Sequence, residues 1–322
     1  MIAIVFTGGT ISMRIDPAAG GAVPTLTGAK LIRLAPQIES IAALEVHEWA
    51  TMPGAHLTVD QMWSLRGYIA DLVARPDIDG VVVTQGTDTI EETSYLTHRS
   101  LVTPKPVVFT GAMRTSEDLG WDGPSNLTDA VRVAASEDAR GSGVLVAFNS
   151  RIYTAGDVTK VHTYMLDAFD SPGLGPLGVL DEGRVLFRRA LPGERDALSP
   201  DKPATPVDIV YAYAGADGRL LDALRAEGRG VVIAALGRGN TPLAMYEAIK
   251  RWIADGKPVV ITSRAARGRV GPTYGFPGGG RSLYDAGAIF AGARRPAQAR
   301  IDLMLALGAG LEGDQLIAAF SH

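Results

Sequence analysis

Apolar residues run along this chain in short unbroken stretches, each closed by a turn of small or hydroxylated residues. In the first half these are IAIVFTGG (2–9), DGVVVTQG (79–86), KPVVFTGA (105–112) and GVLVAFNS (143–150). None alternates apolar with polar positions. Each therefore predicts a strand covered on both faces, the pattern of a parallel sheet. Helical spacing occupies the intervals. Met62, Leu65, Ile69 and Leu72 share one face of a stretch over 58–75, with Thr58 placed to cap its start. A second helix is predicted over 125–136. Strand alternating with helix implies βαβ units in a doubly wound sheet.

The pattern stops at LPGERDALSPDKPATP (191–206), which is rich in Pro and charge and has no apolar period, and so reads as a linker. It restarts with VDIVYAYAG (207–215), GVVIAALGRGN (230–240) and KPVVITSR (257–264). A closing helix over 297–308 carries Ile301, Met304, Leu305 and Leu307. The expectation is two α/β domains. A larger N-terminal one over 1–190 has a mostly parallel sheet with flanking helices, and a smaller C-terminal α/β domain occupies 207–322.

Composition acts mainly by exclusion. The chain has 322 residues, 46% of them apolar and 20% charged, with a net charge of −4. Acids and bases are interspersed, which argues against nucleic acid as a partner, because phosphate binding needs clustered Lys and Arg. There is no cysteine, so disulfides, thiolate metal sites and a cysteine nucleophile are excluded. No uncharged apolar run is long enough to span a membrane, and the first residues lack the pattern of a secretory signal. A cytoplasmic protein is expected.

In an open parallel sheet, ligands bind beyond the carboxyl ends of the strands. Three predicted strands end alike, in TGGT (7–10), TQGTDT (84–89) and FTGAMR (109–114). Each turn sets a Gly beside a Thr. Taken alone, TGGT is a glycine turn with capping threonines. Phosphate binding is poorly supported, since neither G-x-G-x-x-G nor G-x-x-x-x-G-K-[ST] occurs. Asp88 and Thr89 precede a helix-like stretch, so capping is one role open to them. Lys160, in GDVTKVHT (156–163), reads as a surface charge or, if buried near a hydroxyl with a lowered pKa, as a base.

TGGTI (7–11) and TQGTDTIEETSY (84–95) together resemble the two active-site signatures of the bacterial-type L-asparaginase family, which includes glutaminase-asparaginases. The likeness continues in the same order through GAMRTSEDLGWDGPSNLTDAV (111–131), GDVTKVHT, GPLG (175–178), GRGN (237–240) and DAGAIFAG (285–292). It implies hydrolysis of a side-chain amide, asparagine and water giving aspartate and ammonia, with glutamine as a second candidate substrate. By the resemblance, Thr10 is the nucleophile that forms an acyl-enzyme, and Thr87 joins Asp88 and Lys160 in a Thr–Lys–Asp group. Asp88 also holds the substrate amino group. The implied substrate-binding positions are Gly9, Ala55, His56, Gly86, Thr87, Asp88, Ala112, Asn240 and Tyr274. The resemblance implies no metal and no cofactor. It implies a homodimer or homotetramer with sites near subunit interfaces, Asn240 reaching the site of an adjacent subunit.

The chemistry agrees with the residue types. An amide carbon needs a nucleophile, its oxyanion needs donors, and a threonine hydroxyl must be activated by a base. Gly8 and Gly9 would let backbone approach the substrate and leave N–H groups open to the oxyanion. Three departures from the family pattern stand out. The stretch 12–28, expected to be a mobile lid, contains no Tyr, and Ala22 or Val23 takes its place by spacing. MPGAHLT (52–58) aligns Ala55 and His56 where the family has a Ser. YGFPGGGRSLYDAG (274–287) has glycine where a neighbouring subunit's glutamate is usual. Tyr274 and His56 are the candidates for the missing phenol, Tyr274 having packing beside Phe276 as its other role. Two alternatives accompany the hydrolase reading. One is an aspartate- or asparagine-binding homologue without turnover. The other is an amidase related to tRNA-dependent amidotransferase subunits, which the acidic balance disfavours.

Overall fold

The continuous apolar runs of the first half become strands with no exposed face. The computed structural model describes residues 1–191 and 197–321, so the part of the predicted linker at 192–196 lies outside the described residues. Two compact units are present, one over 1–197 and one over 198–322.

The first unit begins with β1 (Ile2–Gly8), a hairpin of β2 (Met13–Asp16) and β3 (Gly21–Pro24), helix α1 (Gly28–Leu34) and β4 (Leu44–Met52). Helix α2 (Val59–Ala74), β5 (Gly80–Thr84), α3 (Ile90–Ser100), β6 (Val107–Thr110), α4 (Gly123–Ala135) and β7 (Val144–Phe148) follow. The unit closes with β8 (Arg151–Thr154), the short pair β9 (Thr159–Lys160) and β10 (Phe169–Asp170), then β11 (Gly178–Asp181) and β12 (Arg184–Phe187). Among the described residues, eight strands form one sheet in the order β12-β11-β8-β7-β6-β5-β1-β4. Pairing is parallel from β4 through β1, β5 and β6 to β7, and antiparallel beyond. The expectation of a mostly parallel sheet therefore holds for the central strands. The far edge turns antiparallel because β7 and β8 are joined by a tight turn at Asn149 and Ser150, both at positive φ, too short for a crossover.

The two faces explain the missing alternation. Along β1, Ile2, Ile4 and Phe6 join Leu127, Val131 and Leu145 in one core, while Ala3 and Val5 join Leu65, Ile69, Val83 and Phe109 in the other. Side chains point alternately to opposite faces of a strand, so a sheet with helices on both sides needs apolar residues at every position. The edge strand β4 is not fully buried and mixes polar with apolar residues. Helix α2 starts with a capping box: the Thr58 hydroxyl accepts from the Gln61 N–H at 3.2 Å, and the Gln61 side chain accepts from the Thr58 N–H at 2.9 Å.

The second unit contains β13 (Val207–Tyr211), α5 (Arg219–Arg225), β14 (Gly230–Ala235), α6 (Leu243–Ala254), β15 (Val259–Ser263), α7 (Gly280–Asp285), β16 (Ile289–Phe290), α8 (Pro296–Gly308) and α9 (Gly313–Ala318). Its strands run parallel in the order β13-β14-β15-β16. Val231, Ile233 and Ile261 pack with Met245, Ile249 and Trp252 of α6. One ion pair is sunk in this unit. The Arg294 guanidinium donates to the fully buried Asp302 carboxylate at 2.7 Å and to the carbonyls of Ala319 and Phe320 beyond α9. Replacing Asp302 with Ala leaves a buried cation without its counter-charge, and we expect a loss of about 3–5 kcal/mol in chemical denaturation. Asp285→Ala, which breaks the exposed pair with Arg281, should shift the transition far less. Equal shifts would show that burial does not set the strength of the Arg294–Asp302 pair.

Candidate active site

The carboxyl ends of β1, β5 and β6 converge because their turns touch through backbone. Gly8 ends β1 and Gly9 follows it, at φ of 102° and 81°, a region that favours glycine. A Cβ on Gly9 would lie 2.3 Å from the Gly86 nitrogen, and one on Gly86 would lie 2.5 Å from the Gly54 nitrogen. A Cβ on Gly111 would lie 2.5 Å from the Gln85 carbonyl oxygen and 3.3 Å from the Thr87 methyl carbon. Four glycines thus clamp TGGT, TQGT, FTGA and the turn after β4 against one another.

This corrects the sequence reading of the glycines. On the side where a Cβ would project from Gly9, the neighbour is the Gly86 backbone. The Gly9 N–H is also not open to an oxyanion, since it donates to the Met52 carbonyl at 3.0 Å. Thr10 begins a short 3-10 turn (Thr10–Ser12), held by the Ser12 hydroxyl and N–H, both donating to the Gly9 carbonyl. Thr10 remains partly exposed, whereas Thr87 is buried.

Lys160 lies between two of the predicted residues. Its ammonium group donates to the Thr87 hydroxyl at 2.9 Å and to the Asp88 carboxylate at 2.7 Å. The Lys160 side chain is 17% exposed and that of Asp88 is 64% exposed, so the lysine is only partly withdrawn from solvent. Asp88 does not cap α3. Thr89 occupies the N-cap position but makes no capping bond, its hydroxyl donating instead to the Gly54 carbonyl at 2.9 Å. Beneath it, the buried Gln85 amide donates to the hydroxyls of Thr89 and Thr93 at 3.0 and 3.1 Å. This ties the floor of the second turn to α3.

Two functional neighbours escaped the sequence reading. Glu91, in the first turn of α3, accepts from the Lys160 N–H at 2.9 Å and from the Thr159 hydroxyl with the same carboxylate oxygen. In sequence it looks like an ordinary acid at a helix start. Gln85 looks like a turn residue. Of the remaining predicted positions, Ala112 is buried and follows Gly111 in the chain. Ala55 and His56 are exposed in the turn Gly54–His56, and it is Gly54 that touches Gly86. Asn240 and Tyr274 belong to the second unit. The Asn240 side-chain oxygen accepts from the Gly280 N–H at 3.1 Å and the Tyr274 carbonyl from the Arg281 N–H at 2.9 Å, both at the start of α7. The Tyr274 ring is exposed, 6.0 Å from that of Phe276.

Residues 12–28 are better anchored than their composition suggests. The β2–β3 hairpin pairs Val23 with Arg14 and Ala22 with Ile15. Glu117 accepts from the Ile15 N–H at 2.9 Å and pairs with Arg14, and Ser116 donates to the Met13 carbonyl. The place of the missing tyrosine is thus taken by residues of a paired strand.

Family models now align with this architecture unit by unit. The model for the N-terminal part of the asparaginases matches residues 1–192, and that for the glutaminase/asparaginase C-terminal domain matches residues 206–320. The chain belongs to the asparaginase family. It is 38% identical to a probable L-asparaginase of Deinococcus radiodurans over 100% of this chain and 97% of the relative. It is 32% identical to a glutaminase-asparaginase of Pseudomonas fluorescens over 83% of this chain and 76% of the relative. The crystal structure of a probable cytoplasmic L-asparaginase from Campylobacter jejuni superposes with a TM-score of 0.87 at 34% identity, covering 99% of this chain and 98% of that one. The resemblance carried by the two threonine motifs is borne out. So is the α/β fold of a larger and a smaller sheet.

The glycine clamp of this asparaginase-family chain has a measurable consequence. Gly20 also has positive φ, at 65°, but a Cβ there meets nothing within 4 Å. Gly20→Ala should therefore cost only the backbone term, about 1–2 kcal/mol. Gly9→Ala adds a collision with Gly86 backbone and should lower the thermal midpoint clearly further. Equal losses would remove the clamp from the account of the site.

Proposed function

We propose that this chain is an L-asparaginase that hydrolyses the side-chain amide of asparagine through a threonine nucleophile, with glutamine as a second substrate. The observation that carries the reading is the Lys160 ammonium bridging the Thr87 hydroxyl and the Asp88 carboxylate at 2.9 and 2.7 Å, in a member of the asparaginase family.

In this reading the Thr10 oxygen attacks the carboxamide carbon. The hydroxyl proton passes to the leaving nitrogen and ammonia departs, leaving an aspartyl ester on Thr10. Water then attacks the ester carbonyl, and its proton restores the Thr10 hydroxyl. Dividing the reaction in two lowers each barrier, and each half requires one proton transfer. Thr87, Lys160 and Asp88 form the hydrogen-bonded group that handles those protons. Asp88, the most exposed of the three, also attracts the substrate ammonium. Ala112 and Gly86 shape the floor, and Asn240 and Tyr274 remain proposed substrate-binding residues, Asn240 for the site of an adjacent subunit as the sequence resemblance implies. A homodimer or homotetramer and a cytoplasmic location complete the proposal. The first is supported by the sequence resemblance and the second by the likeness to the probable cytoplasmic L-asparaginase of Campylobacter jejuni.

The test is ammonia release from asparagine and glutamine. Thr10→Ala and Thr87→Val should each lower kcat by about 10³-fold or more with the thermal midpoint retained. Near wild-type turnover in either variant would overturn the assigned role of that threonine. Calorimetric binding of aspartate to a wild-type protein that releases no ammonia would replace the hydrolase reading with a binding one.

A further inference from the structure

We propose that Glu91 is a positioning residue for Lys160, and that it works by gripping the backbone of β9 from the first turn of α3. The proposal rests on the reading of Lys160 given above. Strand β9 has only two residues and pairs with β10 alone, Lys160 opposite Phe169 and Thr159 opposite Asp170. It has no hydrogen-bonded neighbour in the eight-stranded sheet. A lysine side chain has four rotatable carbons and loses much rotamer freedom when held in one geometry. Something must therefore fix the base of that side chain if its tip is to stay on Thr87.

Glu91 meets that need. One of its oxygens accepts from the Lys160 N–H at 2.9 Å and from the Thr159 hydroxyl. Asp88 lies three residues before Glu91 and takes the other end of the same lysine, at 2.7 Å from its nitrogen. A single short segment, Asp88 to Glu91, thus holds Lys160 at both root and tip. The root contact sets where the tip can reach. An acid kept in the first turn of α3 only for the helix dipole would need its charge, not these two contacts.

Two measurements test the proposal, and only the second needs catalysis. The first is acetylation of lysines by acetic anhydride, read by peptide mass. Glu91→Ala should raise labelling of Lys160 several-fold relative to the exposed Lys30, with Lys105, which donates to the Arg75 carbonyl elsewhere in the unit, unchanged. Glu91→Gln keeps a carbonyl acceptor and should stay near wild type. Unchanged Lys160 labelling in Glu91→Ala, or equal labelling in the Ala and Gln variants, overturns the proposal whatever the enzyme does. The second is steady-state ammonia release. Glu91→Ala should lower kcat by about 10- to 100-fold with KM held within about threefold, the scale of a misplacement near 1 Å. In a Lys160→Met background, Glu91→Ala should have no further effect. The same fall in both backgrounds overturns the proposal. Should Glu91→Ala fail to fold, Thr159→Val removes one of the two contacts, and a rise in Lys160 labelling with a fall in kcat is again the expected result. A wild-type protein that releases no ammonia would sink the hydrolase reading, and labelling alone would then decide the role of Glu91.

Discussion

A Cβ atom on Gly9 would stand 2.3 Å from the backbone of Gly86, and one on Gly86 would stand 2.5 Å from that of Gly54. No side chain fits in either place. The ends of β1 and β5 and the turn after β4 are therefore joined by direct backbone contact, with Gly111 bringing in the end of β6. Thr10 follows Gly9 by one residue and Thr87 follows Gly86 by one. The backbones that carry the two threonines are thus joined directly rather than through flexible side chains. Groups meant to act on one reacting atom gain most from this kind of fixation.

The sheet prepares that meeting. Residues Ile2–Phe6 of β1 and Gly80–Thr84 of β5 pair in parallel register, so both strands deliver their turns to the same edge of the unit. Both strands are buried on either face up to that edge, and the register of β1 on β4 shifts between Phe6 and Gly8. The polar layer just below the turns is satisfied only in part, the Thr84 hydroxyl and the Gln85 side-chain oxygen being buried without a hydrogen-bond partner. Thr7 donates to the Thr84 carbonyl at 2.8 Å, and Gln85 to Thr89 and Thr93. Buried donors left without partners cost free energy, and these contacts remove that cost for the Thr7 hydroxyl and the Gln85 amide N–H groups.

Lys160 reaches the same place by a different route. Its strand stands outside the main sheet, and its position comes from acids near the start of α3, Asp88 at the ammonium and Glu91 at the backbone. The lysine is thus keyed to the segment that carries Thr87. In the second unit, Asn240 and the Tyr274 carbonyl both receive N–H groups from the start of α7, so these two loops share a single anchor.

Strand order aside, the fold was legible in the sequence because its cause is local. An unbroken Val- and Ile-rich run can only be covered on both faces, and Thr58 followed by Gln61 can only open a helix in the way seen. Thr10, Thr87, Asp88 and Lys160 each stand in a distinctive short motif, and the structure brings Lys160 into contact with Thr87 and Asp88. What the sequence could not determine is contact across distance. It pointed to Ala55 and His56, whereas Gly54 makes the contact with Gly86. It read the Gly9 N–H as open to an oxyanion, whereas the Met52 carbonyl accepts from it. It passed over Glu91, whose partners lie sixty-eight and sixty-nine residues away. Periodicity and turn chemistry are fixed by neighbours along the chain. Which backbone touches which glycine, and which carboxylate oxygen finds which N–H, is settled only when the strands have paired and their ends have been brought together.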